Sequence, residues 1–268
     1  MFLRVDRFIG NVVKNRYMLK SLVVRDMKGR YAGSFMGIFW SVIHPLIMFL
    51  TYNYVFTLVF KARLGQQAGT DNFALWLLCG LLPWIFFSDS IMRSANVLIT
   101  NKPLITKSIF PSELLTLGII FSNLINHFII FTIILIAMLI MDAVIHPYIL
   151  LLPLYTFPLI LMTTGIGWMV SGINVFFRDI EQVFAVLINF LFFYTPILYE
   201  PQMLSKELQP ILKINPLFYV VNGYRHCILG SGGIEFVNLS IIYLLGGVLF
   251  IAGGMIFKRL KPEFAELL

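Results

Sequence analysis

Few residues of types that make or break bonds are grouped along this chain, and their spacing keeps them apart. It carries no GxxxxGK[ST] loop for nucleotide phosphates, no HExxH helix for zinc and no GxSxG elbow for a serine nucleophile. His44, His127, His146 and His226 lack partners at i+3 or i+4, so only tertiary folding could assemble a metal site or a Ser/His/Asp triad. Gly165, Gly167 and Gly172 sit in an apolar run with no Lys behind them, a setting for close helix packing rather than phosphate binding. Cys79 lies in an apolar run and Cys227 reads as a loop residue, which gives no disulfide framework and no CxxC metal spacing. Bond-making catalysis is therefore not the expected activity, and no cofactor is expected on this chain.

What the sequence does offer is aromatic surface. Trp40, Phe49, Tyr52, Tyr54 and Phe56 cluster in one apolar run, and Phe184, Phe190, Phe192, Phe193, Tyr194 and Tyr199 in another. Taken singly these are interface-belt, lipid-facing or core residues. Taken together they suit a sugar path, because flat apolar faces rimmed by OH or NH groups can hold the CH face of a pyranose while letting a polymer slide.

The elements that would carry these rings are membrane spans. Of 268 residues, 59% are hydrophobic and only 12% charged, against roughly 45–50% and 25% in soluble domains. Stretches 36–60, 114–141, 148–177, 182–199 and 236–257 contain no Asp, Glu, Lys or Arg, and each approaches the ~20 residues needed to cross a bilayer. A sixth, from 73 to about 99, carries Asp89 and Arg93, four apart and able to pair with each other, before a polar inner end. The continuous block 148–199 must be two helices, since a single rod would far exceed the ~30 Å of hydrocarbon, and Arg178-Asp179-Ile180-Glu181 marks the break. The spans lack the mid-membrane ionisable relay that ion-coupled carriers use. No segment reads as a cleaved signal peptide.

Charge placement orients the spans. With the N-terminus inside, fifteen Lys and Arg fall on the cytoplasmic side, and Lys61, Arg63, Lys206, Lys213 and Arg225 fall on the other. That asymmetry favours both termini inside and explains the net charge of +7 without nucleic acid. The expected organisation is a cytoplasmic amphipathic interface segment over 1–35, a six-helix transmembrane domain over 36–257 and a cytoplasmic tail over 258–268.

Two regions break the pattern. Val5, Phe8, Ile9, Val12 and Val13 recur at helical spacing opposite Arg4, Asp6, Arg7, Lys14, Asn15 and Arg16. This describes an interfacial helix, either a topological anchor or a collar that meets anionic lipid. Between the fifth and sixth spans, 211–221 is apolar but too short to cross; it reads as a re-entrant segment capping a cavity, or as an interfacial loop. His44 before Pro45 marks a kink in the first span.

Three blocks carry a resemblance. The first runs Leu22-Val-Val-Arg25-Asp26-Met-Lys28-Gly-Arg30-Tyr31-Ala-Gly-Ser34-Phe-Met-Gly37-Ile-Phe-Trp40, with Pro45-Leu46 and Tyr54-Val55-Phe56 beyond it. The second is Asn174-Val-Phe-Phe-Arg178-Asp179 followed by Phe193-Tyr194-Thr195-Pro196-Ile197, and the third Asn215-Pro216-Leu217 with Tyr224-Arg225. Across nearly its whole length the chain resembles the membrane subunits of ABC-type polysaccharide exporters. The resemblance implies a homodimer in the bacterial cytoplasmic (inner) membrane around a channel for a glycan carried on undecaprenyl diphosphate. It also implies two copies of a separate ABC ATPase subunit, which would bind the ATP and Mg. By the same similarity Lys102, Pro103, Lys107, Arg178 and Asp179 are coupling residues, and Arg25, Asp26, Lys28 and Arg30 lie near the lipid diphosphate. Trp40, Tyr52, Phe56, Phe190, Phe193, Tyr194 and Tyr199 are the candidate channel aromatics. Two alternatives stay open: a permease of the same architecture for a drug or small lipid, and a membrane lipid- or sugar-modifying enzyme using Asp26, Asp89, Asp179 and Glu181.

Overall fold

The computed structural model describes residues 14–30, 33–60, 64, 68–70, 72–106, 110–231, 233 and 235–268. The stripe from Arg4 to Val13 and the coupling candidate Lys107 lie outside them. Every regular element among the described residues is helical. In chain order these are α1 (Arg16–Arg30), α2 (Trp40–Asn53), α3 (Phe73–Thr100), α4 (Lys102–Thr106), α5 (Glu113–Ile140), α6 (Leu152–Phe176), α7 (Ile180–Tyr194), α8 (Gln209–Leu212), α9 (Pro216–Leu229), α10 (Phe236–Leu260) and α11 (Phe264–Leu267).

Four stretches are long and apolar enough to cross a membrane: α3, α5, α6 with its 3-10 lead-in from Pro147, and α10 with the short helices behind it. The other two expected spans are built differently. Residues 37–59 are helical throughout, but as a 3-10 turn (Gly37–Phe39), then α2, which accommodates Pro45, then a π-helix (Tyr54–Val59). The fifth is cut short at Tyr194, five residues before its apolar run ends. Thr195 precedes Pro196 and adopts extended backbone, as a residue before proline prefers, and this stops the helix.

Burial separates the spans by role. In α3, 78% of the apolar window is buried, against 28% in α5 and 17% in α10, so α3 is the axis around which the others pack. Leu77, Cys79, Leu82 and Ala95 of α3 are wholly enclosed by α5, α6 and α9. The uncovered apolar faces of α5 and α10 need a nonaqueous surrounding. A second cluster closes the opposite end, joining Leu22 of α1, Leu98 of α3, Leu114 of α5, Trp168 of α6 and Phe257 of α10 to Phe264 of α11. The segment after Leu260 therefore folds back onto the bundle, and Lys261 pairs with Glu113 at 2.6 Å.

The glycines of the 165–172 run do pack helices. A Cβ on Gly165 would collide with the backbone of Leu249, and one on Gly253 with that of Gly165, so α6 and α10 touch backbone to backbone. Gly165→Ala is expected to destabilise the protein by about 1–3 kcal/mol, the usual cost of overpacking a filled site. Thermal unfolding in detergent would measure it, and an unchanged transition would rule out this close approach.

The outer segment also departs from the sequence reading. The apolar stretch 211–221 is divided between α8 and α9, with a break at Lys213 and Asn215, where Asn215 caps α9 by accepting from the Leu217 amide at 3.0 Å. Helix α9 continues to Leu229 and ends on Gly230, whose φ of 71° is the left-handed value glycine adopts freely. Cys227 is thus a fully buried helix residue, not a loop residue. The loop expectation failed because the polar residues of 222–226 point their chemistry into the protein, which spacing alone does not show.

Candidate functional site

Leu19 of helix α1 packs partly buried on the second core cluster, and Leu22 is the helix's one fully buried side chain. It seats against the bare Cα of Gly118 on α5, where even an added Cβ would come within 3.2 Å. What otherwise holds α1 in place is polar. Asp26 accepts from Arg93 Nη2 of α3 at 2.5 Å, from Ser122 Oγ of α5 at 2.5 Å, and from Arg30 one turn on at 3.3 Å. Arg30 also donates to Ser122 Oγ at 3.0 Å and to Asn123, and lies 3.6 Å from Asp89. Arg93 reaches Asn123 at 3.3 Å, and Asn123 donates onward to Ser90 at 3.0 Å.

This network corrects the expected pairing of Asp89 with Arg93. Each pairs instead with α1, because a cation and an anion of α1 are presented to α3 together and satisfy both partners at once. Burial by itself would raise the Asp26 pKa, but the hydrogen bonds from Arg93 and Ser122 and the charges of Arg93 and Arg30 outweigh it and hold the carboxyl below its ordinary value. Asp26 is therefore the ionised centre of a junction between α1, α3 and α5. Of the other positions assigned to the lipid diphosphate, Arg25 donates to Asn101 at 2.7 Å at the end of α3. Lys28 is exposed and, with Lys20 and Arg25, edges a shallow hollow of about 650 Å³. Asp26 and Arg30 are thus committed to the protein, while Arg25 and Lys28 face outward. Of the four carboxylates weighed for an enzyme, Asp26 and Asp89 are paired with arginine, Asp179 sits in the α6–α7 turn and Glu181 in the first turn of α7.

The coupling candidates occupy the same end of the bundle. Helix α3 stops at Asn101, whose side chain donates to Val97 O at 2.8 Å, and α4 follows. Leu104 and Ile105 turn inward to the second core cluster and leave Lys102 and Pro103 exposed. In the α6–α7 turn Phe177, Arg178 and Asp179 are all exposed, and neither charged side chain has a partner among the described residues. The turn is held from below by Asn174, which donates to Ala95 O at 2.9 Å and Asn96 at 3.2 Å and accepts from the Glu181 amide at 3.3 Å. Both connections are thus exposed at their tips and rooted against α3.

The aromatic candidates divide into two groups. Tyr52 and Phe56 sit on the first helical run, where Phe56 stacks on Phe73 of α3 at 4.9 Å; Trp40 donates to Ser34 Oγ at 2.8 Å and is two-fifths exposed. On α7, Phe190 stacks on Tyr194 at 5.8 Å, and Phe190 and Phe193 are about two-thirds exposed. Tyr194 donates to Ile211 O, and Tyr199 to Phe193 O at 3.1 Å. Phe56 is therefore a packing residue within the protomer, while Phe190 and Phe193 project from it.

Spacing could not reveal Ser90, Ser122 and Asn123 as partners of α1; their only signal is polarity inside apolar runs. Arg225 was also missed as a buried group. It lies with its guanidinium 3.4 Å from the Trp76 ring centroid and donates to the carbonyls of Pro196 at 2.8 Å, Ile197 at 2.9 Å and Trp76 at 3.4 Å.

Comparison with known proteins follows this layout. The ABC-2 type transporter family matches residues 17–229. An O-antigen export system permease protein, RfbA, of Klebsiella pneumoniae is 32% identical, covering 94% of this chain and 96% of that protein. The RfbA protein of Myxococcus xanthus is 28% identical over 97% and 98%. The polysialic acid transport protein KpsM of Escherichia coli is 23% identical over 91% and 93%.

Proposed function

The chain belongs to the ABC-2 type transporter family, and from that premise we propose that it is the membrane subunit of an exporter that moves an O-antigen-like polysaccharide, carried on undecaprenyl diphosphate, out across the bacterial cytoplasmic membrane. The observation that carries this reading is the full-length match at 28–32% identity to permeases named for O-antigen export. Two copies of a separate ATPase subunit would bind ATP and Mg and supply the energy; this chain would make and break no bond.

In this reading the helical run 37–59, α3, α5, α6, α7 and α10 are six spans. Helix α7 has 15 residues and so a length of about 22 Å, and it reaches across the bilayer only with the turns that follow it. Both termini are cytoplasmic. The fifteen inner cations support this, as does the meeting of α1, α4 and α11 at one end of the bundle. Helix α9, 14 residues long and packed on α3 and α6, is the re-entrant segment at the other end. Val183, Val186, Leu187 and Phe190 form an exposed apolar stripe on α7, which supports a second copy beside it and a channel between the two. Lys102, Pro103, Arg178 and Asp179 would face the ATPase, and the exposed Lys28, with Arg25 beside it on Asn101, would meet the lipid diphosphate.

Co-purification of the chain with the ATPase subunit, and stimulation of ATP hydrolysis by lipid-linked glycan, test this reading. Stable association and stimulation are the expected results. A chain that hydrolyses ATP alone, or that neither binds the ATPase nor responds to glycan, would overturn it.

A further inference from the structure

At the end of the bundle opposite α1 lies a cavity of about 730 Å³, within the 300–1,000 Å³ of small-molecule sites. Its walls come from the start of α3, the start of α6, the segment after α7, helix α9 and the approach to α10. We propose that this cavity binds an uncharged saccharide segment, an inference that rests on the export function above and adds a glycan site inside each protomer.

The hydrogen-bonding groups of the wall point to the ligand. The side-chain amides of Asn222 and Gln202 have no hydrogen-bond partner among the described residues, and each offers both donors and an acceptor. His226 is 4% exposed and donates to Ser231 O at 3.0 Å through Nδ1, yet its Nε2 has no hydrogen-bond partner among the described residues. A buried nitrogen left unpaired is costly unless a ligand or water meets it. Polyhydroxylated ligands supply such partners of either sense.

The charges argue that the ligand is neutral. Arg225 and Lys213 line the cavity against Glu200 and Glu235, so the formal charges cancel. Arg225 is already engaged by three carbonyls and by the Trp76 ring, and so is held as part of the wall rather than left to clamp an anion. The half-buried ring of Phe218 adds an apolar face, the complement of a pyranose CH surface. With both termini inside, the cavity faces the outer surface, where an emerging glycan would meet it.

The test uses the full chain purified with its ATPase subunit in nanodiscs. The probe is the host's surface polysaccharide cut from its lipid by mild acid, with dextran sulfate of matched length as an anionic control; calorimetry reads binding. Wild type is expected to bind the neutral fragment and not the control. Asn222→Trp, which fills the cavity, should weaken binding at least tenfold, and Gln202→Ala several-fold. Gln202 is exposed, so that variant decides the matter if Asn222→Trp fails to assemble. No binding by wild type, equal binding by the variants that assemble, or preference for dextran sulfate would overturn the proposal. Surface polysaccharide in cells deleted for the chain, with and without complementation, is measured in parallel. Restored export without fragment binding refutes the cavity site alone, whereas export that never depended on the chain refutes the export reading itself.

Discussion

Arg178→Glu is expected to bring polysaccharide export to background while the protein still folds and self-associates. Arg178 is exposed on the α6–α7 turn and has no partner among the described residues, so its replacement should shift stability by no more than about 0.5 kcal/mol. Its importance would lie at the contact with the ATPase. Removing one member of a buried charge pair at an interface costs about 2–5 kcal/mol, and reversal adds repulsion. At 1.4 kcal/mol per tenfold, the complex weakens by at least about thirtyfold. The checks are co-purification with the ATPase, glycan-stimulated ATP hydrolysis and surface staining of cells. Normal export by this variant would remove the turn from the coupling surface.

Asp26→Asn should act by the opposite route, through the fold. The substitution keeps the shape but removes the charge that faces Arg30 and Arg93, leaving two guanidinium groups partly buried beside one remaining carboxylate, Asp89. Breaking a fully buried pair costs about 3–5 kcal/mol. Here Arg93 is 26% exposed, so about 2–3 kcal/mol is the better expectation. The loss should fall on α1, seen as faster amide exchange over 16–30 while α3 stays protected. Uniform exchange across the chain, or none, would show that the network does not hold α1. The same contact sets a pH dependence. Because the folded state lowers the Asp26 pKa, this part of the stability is complete above the ordinary carboxylate range and is lost as pH falls through the lowered folded value. Wild type should therefore lose protection of α1 in acid, and Asp26→Asn should lack that transition.

The membrane character, the long spans and the absence of a nucleotide loop are legible from composition and run length. Hydrophobicity is a local property and needs no knowledge of neighbours. So is the break at Arg178-Asp179, since three charged residues within four positions are too costly to hold inside hydrocarbon between two apolar runs. Helix ends were less legible. The fifth helix stops at Tyr194 because of one proline, and the first run changes from α to π at Tyr54 without a signal that could be read from residue types.

Three features depend on residues far apart in the chain. Asp26 meets Arg93 across 67 positions and Ser122 across 96; Arg225 meets the Trp76 carbonyl across 149. Spacing along one helix allowed Asp89 and Arg93 to pair, yet both were claimed by α1. Ion pairs and hydrogen bonds go to whichever satisfying partner the packing brings within about 3 Å, and packing is a property of the whole bundle. The amino-acid order thus specifies which segments are apolar enough to enter a membrane and where along the chain the charges between them fall. Which polar groups hold those segments to one another, and where a cavity is left between them, follows from the three-dimensional arrangement, because short-range forces act between neighbours in space.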